Sequence, residues 1–588
     1  LPDLTILVQI PNVPNKPVLA AGATGAVNNL TIEPGSSLTI SGNTLQISGT
    51  ITNNGTFDAL DGTILMNGSS AQAIDASVFS GNTIKNLTVS NIAGASLLGP
   101  LNVTGVVLVQ NGTLASDGNL NLVSDAMQTA LIDGSGAGDV TGNVTMERYL
   151  SPGFGYKYFS SPFQAATVSE FGDDMDLASS FPLFYRFNEN HRGTGWVGYA
   201  TGTNVLNPQE GYAVNFGDAT APKTVDVTGE VNNGNLSLTL FNHDSTYTEG
   251  FNLVGNPYPS PVDWDAPAGW TRPNIDNAVH YFKASTTDQY GGTYSSYVGG
   301  VSTEPGVATN IIPSMQGFFV HVSDGTYPVT GTLGVNNSAR INDLTHPFLK
   351  SANRDDRFLL RATATFADDT ASADPAVIYF DDGAQPSFDG GFDALKLMNT
   401  DMLVTNFYSV LAGDKKLSVN ALPTELFDTT LTVPLGLMIY RDGEVIFKIK
   451  DIENRPGEIN IYFRDAITGS NINMLTAQDY RVVLNAGDYN NRFSLAFLKS
   501  ATGIGDHPAS DRIFSAYESS GKIKVTVNTI SGGEGVITIY DMAGRPLYIK
   551  KVYETGYYEF DPGVSQGIYI IGYITGNQRC TLKLILGF

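Results

Sequence analysis

Chemistry needs a few residue types at workable spacing, and in this chain they are sparse. The six histidines, His191, His243, His280, His321, His346 and His507, are scattered, with no H-E-x-x-H or His-x-His spacing. No G-x-S-x-G elbow and no phosphate-cradling G-x-x-x-x-G-K occurs. Asp389 and Asp393 flank Gly390-Gly391-Phe392, close enough to invite a general acid/base reading. With no His or nucleophile in sequence reach, they read first as a structural turn. Asp173, Asp174 and Asp176, and likewise Asp263 and Asp265, could present carboxylates to Ca²⁺. Neither run matches an EF-hand loop, and a solvated acidic turn is the plainer reading. The three tryptophans, Trp196, Trp264 and Trp270, fall in one stretch. With Tyr258, Tyr281 and Tyr290 they could stack sugar rings, against the competing expectation that they fill a core. Cys580 is the only cysteine, which excludes a disulfide framework and a multi-cysteine metal site. It lies in a strand-like run, as a small buried side chain would. These residues predict no enzyme in this chain, and no cofactor apart from a weak case for structural Ca²⁺.

The elements that must carry them are strands. The chain has 588 residues, too many for one hydrophobic core. Charged residues are 15% and the net charge is −24, which argues against binding a phosphate backbone and so against nucleic acid. No apolar stretch reaches the roughly 18 residues of a membrane-spanning helix. Residues 24–145 are almost uncharged and consist of short alternating runs such as Leu30-Thr31-Ile32 and Leu38-Thr39-Ile40, each followed by Gly, Asn or Ser. Asn29-Leu30-Thr31-Ile32 recurs as Asn86-Leu87-Thr88-Val89, and Asn54-Gly55-Thr56-Phe57 as Asn111-Gly112-Thr113-Leu114, both at an offset of 57 residues. Repeated short strands with Asn and Gly at corners predict a β-helix-like solenoid serving as scaffold.

Residues 146–340 read as a duplicated β-sandwich region. Its first copy carries Gly155-Tyr156-Lys157-Tyr158-Phe159-Ser160-Ser161-Pro162-Phe163 and Pro208-Gln209-Glu210-Gly211-Tyr212. Its second carries Gly250-Phe251-Asn252-Leu253-Val254-Gly255-Asn256-Pro257-Tyr258 and Ser314-Met315-Gln316-Gly317-Phe318. Residues 341–500 read as a further β-sandwich, 501–507 as a linker and 508–588 as a C-terminal module. The expected fold class is all-β: a solenoid, several sandwiches and a C-terminal sandwich. Residues 1–23 read as a strand and linker ending an upstream module, which predicts a longer parent chain.

The C-terminal module carries Ile539-Tyr540-Asp541, then Gly544-Arg545, then Gly567-Ile568-Tyr569, then Lys583 in a terminal strand. This order resembles the type A C-terminal sorting domain of the type IX secretion system, with a departure at the ending Leu586-Gly587-Phe588, where that family often finishes with Lys. The segments AQAI (71–74), GNVTMERYL (142–150), NPYPSPVDWD (256–265), MQGFFV (315–320) and FDGGFDALKL (388–397) resemble modules of large surface proteins exported by that route.

The resemblance implies an Ig-like sandwich and passage through the periplasm after a signal peptide. It also implies recognition by the outer-membrane translocon and its β-barrel shuttle protein, removal of the tail near residues 501–510, and a final location that is secreted or on the bacterial cell surface. It implies O-glycan acceptors where Asp precedes Ser or Thr, at Ser245, Thr370 and Thr429. The expected role is an adhesin or structural surface protein. The alternatives are the accessory region of a large secreted enzyme, or a protein that binds surface glycans. Charge follows the same division: residues from 501 on hold eight acids and eight bases, so the whole −24 belongs to residues 1–500.

Overall fold

A computed structural model describes residues 2–22, 24–153, 155–179, 183–217, 221–286, 288–345, 356–428, 431–477, 479–499, 514–519, 522–530, 533–541, 544–561, 567–576 and 578–586. About half of the chain is strand, 53%, with no α-helix among the described residues. Two compact units emerge, Leu1–Ser500 and Ala501–Phe588.

The first unit begins as a solenoid of about seven turns. Its strands stack in parallel: Ser37–Ile47 beside Thr56–Met66, then Thr83–Leu97, then Val106–Ala115. A second row runs through Val8–Ile10, Leu30–Ile32 and Ile51–Asn53. Alternation sets the faces: Leu38, Ile40, Leu45 and Ile47 point inward and are buried, while the residues between them are more exposed. The repeated asparagines have a definite job. Asn29 Oδ1 accepts the N–H of Thr50, 21 residues on, and Asn86 Oδ1 accepts the N–H of Val106, 20 residues on. Each ties one turn to the next, so the offset of 57 residues corresponds to about three turns.

The stack ends by changing direction. Asn143–Leu150 pairs in parallel with Leu120–Leu122 on one edge and antiparallel with Lys223–Val231 on the other. One hydrophobic core continues across this switch, from Ile10 in the solenoid to Phe159, Phe184, Tyr212 and Val227 beyond it. Residue 146 thus marks a change in strand pairing rather than a break in packing.

The duplicated segments fold alike. Tyr156–Phe159 pairs antiparallel with Tyr212–Asn215, and Phe251–Gly255 pairs antiparallel with Gly317–His321. The copies then exchange equivalent contacts. Ser160 N–H donates to Met315 O at 3.2 Å, and its counterpart Gly255 N–H donates to Gln209 O at 2.8 Å. Phe159 bridges to Gln316, and its counterpart Val254 to Glu210. Gln209 and Met315 share a positive φ, 64° and 59°. A Cβ on Gly211 would lie 2.6 Å from Leu253 Cγ, and one on Gly317 would lie 3.0 Å from Tyr158 Cβ, so the paired glycines permit this close approach. The two sheets are therefore related by a local pseudo-two-fold.

Residues 358–499 form one large sheet rather than two separate ones. Its order runs Ser470–Asn473, Ile459–Asp465, Phe493–Lys499, Leu431–Ile439, Asn406–Val410, Lys416–Leu422, Asp374–Phe380, Leu359–Phe366, Gly443–Glu453, Tyr480–Leu484. The sheet curls so that its ends face each other: Phe447 lies 4.7 Å from Phe463 and 4.8 Å from Phe493. Its other surface meets the second copy through Val298 and Val301 against Leu359, Val377 and Tyr379.

In the second unit, Phe514–Ser519, Lys522–Val527 and Gly556–Phe560 form one antiparallel sheet. Pro546–Val552, Gly535–Tyr540, Gly567–Thr575 and Gln578–Leu586 form the other. Phe514, Ile523, Val525 and Phe560 pack against Ile537, Ile539, Ile571 and Tyr573 between them. Among the described residues no helix is long and apolar enough to cross a membrane.

Candidate functional site

A cleft of about 230 Å³ opens on the duplicated region. The strand Phe184–Phe187 and the turn after it form one wall, Leu236–Asn242 another, and Glu210, Gly211, Asn252 and Leu253 line it where the copies meet. Its centre is a pair that the sequence does not announce. Glu189 is buried, and its Oε2 lies 2.5 Å from His243 Nδ1. Glu189 Oε1 accepts the His243 N–H at 3.0 Å, while the Thr248 hydroxyl donates to the Glu189 carbonyl at 2.6 Å. The carboxylate therefore holds His243 by one bond to the ring and one to its backbone N–H, and keeps a hydrogen on Nδ1. Nε2, on a ring that lines the cleft, takes no hydrogen bond among the described residues. A carboxylate on Nδ1 is also how a base is oriented in a catalytic triad, but no described hydroxyl or thiol is hydrogen-bonded to Nε2 as a nucleophile would be. Around it lie Arg186, whose guanidinium sits 5.3 Å from the Tyr199 ring centroid, and Glu210. Glu210 Oε2 accepts from Tyr212 OH and Asn207 Nδ2.

The residues singled out from sequence lie elsewhere. The tryptophans do not assemble a platform. Trp264 is 1% exposed, with its Nε1–H donated to Asn277 O, and Trp270 packs on it at 4.8 Å. Trp196 joins a separate cluster with Tyr158, Phe187 and Phe319. Tyr258 and Tyr281 are buried, and only Tyr290 is exposed. Sugar stacking on Trp264 is thus excluded by burial. The indoles form two cores because aromatic area packs between facing sheets.

The acidic runs are spent on local structure. Asp174 pairs with Lys223, Asp176 accepts the Ala178 N–H, and Asp263 accepts from Asp265 N and Asn310 Nδ2. Among the described residues no three His, Cys, Asp or Glu side chains converge to hold a metal. Asp389 and Asp393 do close a turn: Asp393 Oδ2 accepts the Asp389 N–H, and Oδ1 accepts the Ala421 N–H. Burial, helped by the neighbouring carboxylates of Asp389 and Asp276, pushes Asp393 up to about 7.

In the second unit, Ile539 and Tyr540 end a strand, and Asp541 clamps the turn. Its carboxylate accepts the Arg545 N–H at 2.9 Å and Arg545 Nε–H at 2.7 Å, and Gly544 supplies a φ of +78°. Gly567, Ile568 and Tyr569 open the strand that pairs on both sides. Lys583 is in the last strand opposite Ile570, and its side chain lies outside the described residues. Cys580 is half-buried in that strand. Ser245 is half-buried and Thr370 exposed, whereas Thr429, His346, His507 and the segment 501–507 lie outside the described residues.

Solenoid, paired copies, curled sheet and terminal sandwich together define a modular all-β protein with a polar cleft where its duplicated sheets meet. The chain belongs to the domain family of unknown function DUF8693, whose match covers residues 58–497. That match takes in most of the first unit and stops short of the second. No curated protein matches the chain.

Proposed function

We propose that this is a secreted or cell-surface modular protein delivered by the type IX secretion system. Residues 1–500 are the adhesive or structural cargo, and the terminal sandwich is the sorting module that the outer-membrane translocon and its shuttle protein recognise. One observation carries the reading. The motif residues Ile539, Tyr540, Asp541, Gly544, Arg545, Gly567, Ile568 and Tyr569 build one hairpin and its neighbouring strand in the second compact unit, which the family match does not reach. Arg545 holds the turn with its side chain 79% exposed, a form suited to being read by a partner. Cell fractionation tests this. Deleting residues 508–588 should leave the protein in the periplasm, and Asp541→Ala, which releases Arg545 from its clamp, should slow delivery. Normal surface delivery of the deletion overturns the proposal.

A further inference from the structure

The cleft around His243 has a lining that points to a class of ligand, independently of the export route. Its groups divide by hydrogen-bonding sense. Arg186 can only donate, Glu210 and the free His243 Nε2 accept, and the Asn188 amide can do both. A hydroxyl also does both, so a ligand with several hydroxyls can meet all of these groups, whereas a carboxylate or an ammonium would satisfy one sense alone. Charge disfavours an anion: the lining holds the carboxylates of Glu189 and Glu210 against the single guanidinium of Arg186, with buried Glu189 already engaged by His243. The third element is apolar: Phe241, 41% exposed, lines the cleft with its ring centroid 5.6 Å from that of His243. An exposed aromatic face beside paired polar groups matches the C–H face and hydroxyl rim of a pyranose. The volume, about 230 Å³, is below the usual range for drug-sized ligands and fits a small one.

We propose that this cleft binds one ring of a neutral saccharide, with Arg186, Glu210 and His243 taking the hydroxyls and Phe241 the apolar face. Glu189 is a positioning residue that fixes the imidazole. The test is saturation-transfer NMR on the full chain with the methyl glycosides of glucose, galactose and mannose, beside methyl glucuronide and inorganic phosphate as ionic probes. At least one neutral glycoside should bind. Arg186→Met, Glu210→Gln and Phe241→Ala should each weaken it by about tenfold, while Tyr290→Ala, outside the cleft, should leave it unchanged. Arg186 and Phe241 are exposed, so unchanged melting curves would show that these variants are folded. Absence of binding to every neutral glycoside, binding only of the ionic probes, or equal affinity in all three cleft variants would each overturn the proposal.

Discussion

Asp393 shows how a single carboxylate ties two layers of the first unit to pH. It sits in the FDGGFD turn, whose Gly390 carbonyl accepts the Asn277 N–H from the second copy at 2.7 Å. With its ionisation pushed up to about 7, the folded chain keeps a proton that the unfolded chain gives up near pH 4. Between those values the native state binds more protons, so raising the pH removes stability. The contribution is full below about pH 4 and gone above about pH 7, with an upper bound of roughly 4 kcal/mol. Asp226, pushed to about 6 by burial and by the carboxylates of Asp173, Asp174, Glu147 and Glu170, acts in the same direction. Asp393→Asn isolates the first effect. In urea titrations the variant should be less stable than the parent at pH 5, and the gap should close or reverse by pH 8. A gap independent of pH would refute the assignment. At this scale the sequence is read unevenly. Asp389 and Asp393 are legible as a turn because the three residues between them, two of them glycines, leave the chain little else to do. Glu189 and His243 are not, because 54 residues separate them and only the pairing of sheets brings them together. The tryptophans are legible as core in general but not in detail: composition places aromatics in a region, and which of them are buried is decided by which strand faces which.

Among the elements, the solenoid is the most legible, since period-2 alternation and recurring Asn-Gly corners have one economical solution. The second repeated motif marks where backbone meets backbone. Gly112 has φ +78°, and a Cβ there would run into the carbonyl of Asn91 in the preceding turn. Gly118 has nearly the same φ, +76°, but open space around it. Both positions ask for the left-handed conformation, and only one also asks for the missing side chain. Gly118→Ala should therefore cost about 1 kcal/mol, and Gly112→Ala several kcal/mol more, in chemical denaturation of the full chain. Equal costs would show that φ alone sets the requirement. The duplicated sheets were legible as a repeat, but their exchange of contacts was not. Ser160 with Met315 and Gly255 with Gln209 are 155 and 46 residues apart in a chain that prints only the similarity, and the pseudo-two-fold emerges when both pairs close. The curled sheet of residues 358–499 reads as strands in sequence, yet nothing local says that it folds back on itself.

For the molecule as a whole, the division after Ser500 is the main organising fact. The terminal sandwich has a core drawn from its own residues, Phe514 to Leu584. The charge count already separated a neutral tail from an acidic body, and the separation coincides with this division. A chain ending at Ser500 should therefore melt within about 2 °C of the corresponding transition of the full protein, as independent cooperative units do. A fall of more than about 5 °C would mean that the two units stabilise each other.

The switch from parallel to antiparallel pairing at Asn143–Leu150 has a consequence for how such a protein changes over generations. Every turn of the stack before it presents much the same edge to its neighbours, and only the last is committed to the sheets that follow. Turns can be gained or lost upstream of that commitment without altering what the paired copies meet. Each would shift the reach by about 4.8 Å, the spacing between hydrogen-bonded strands. The solenoid is in that sense a ruler with one end fixed and its length left open to selection.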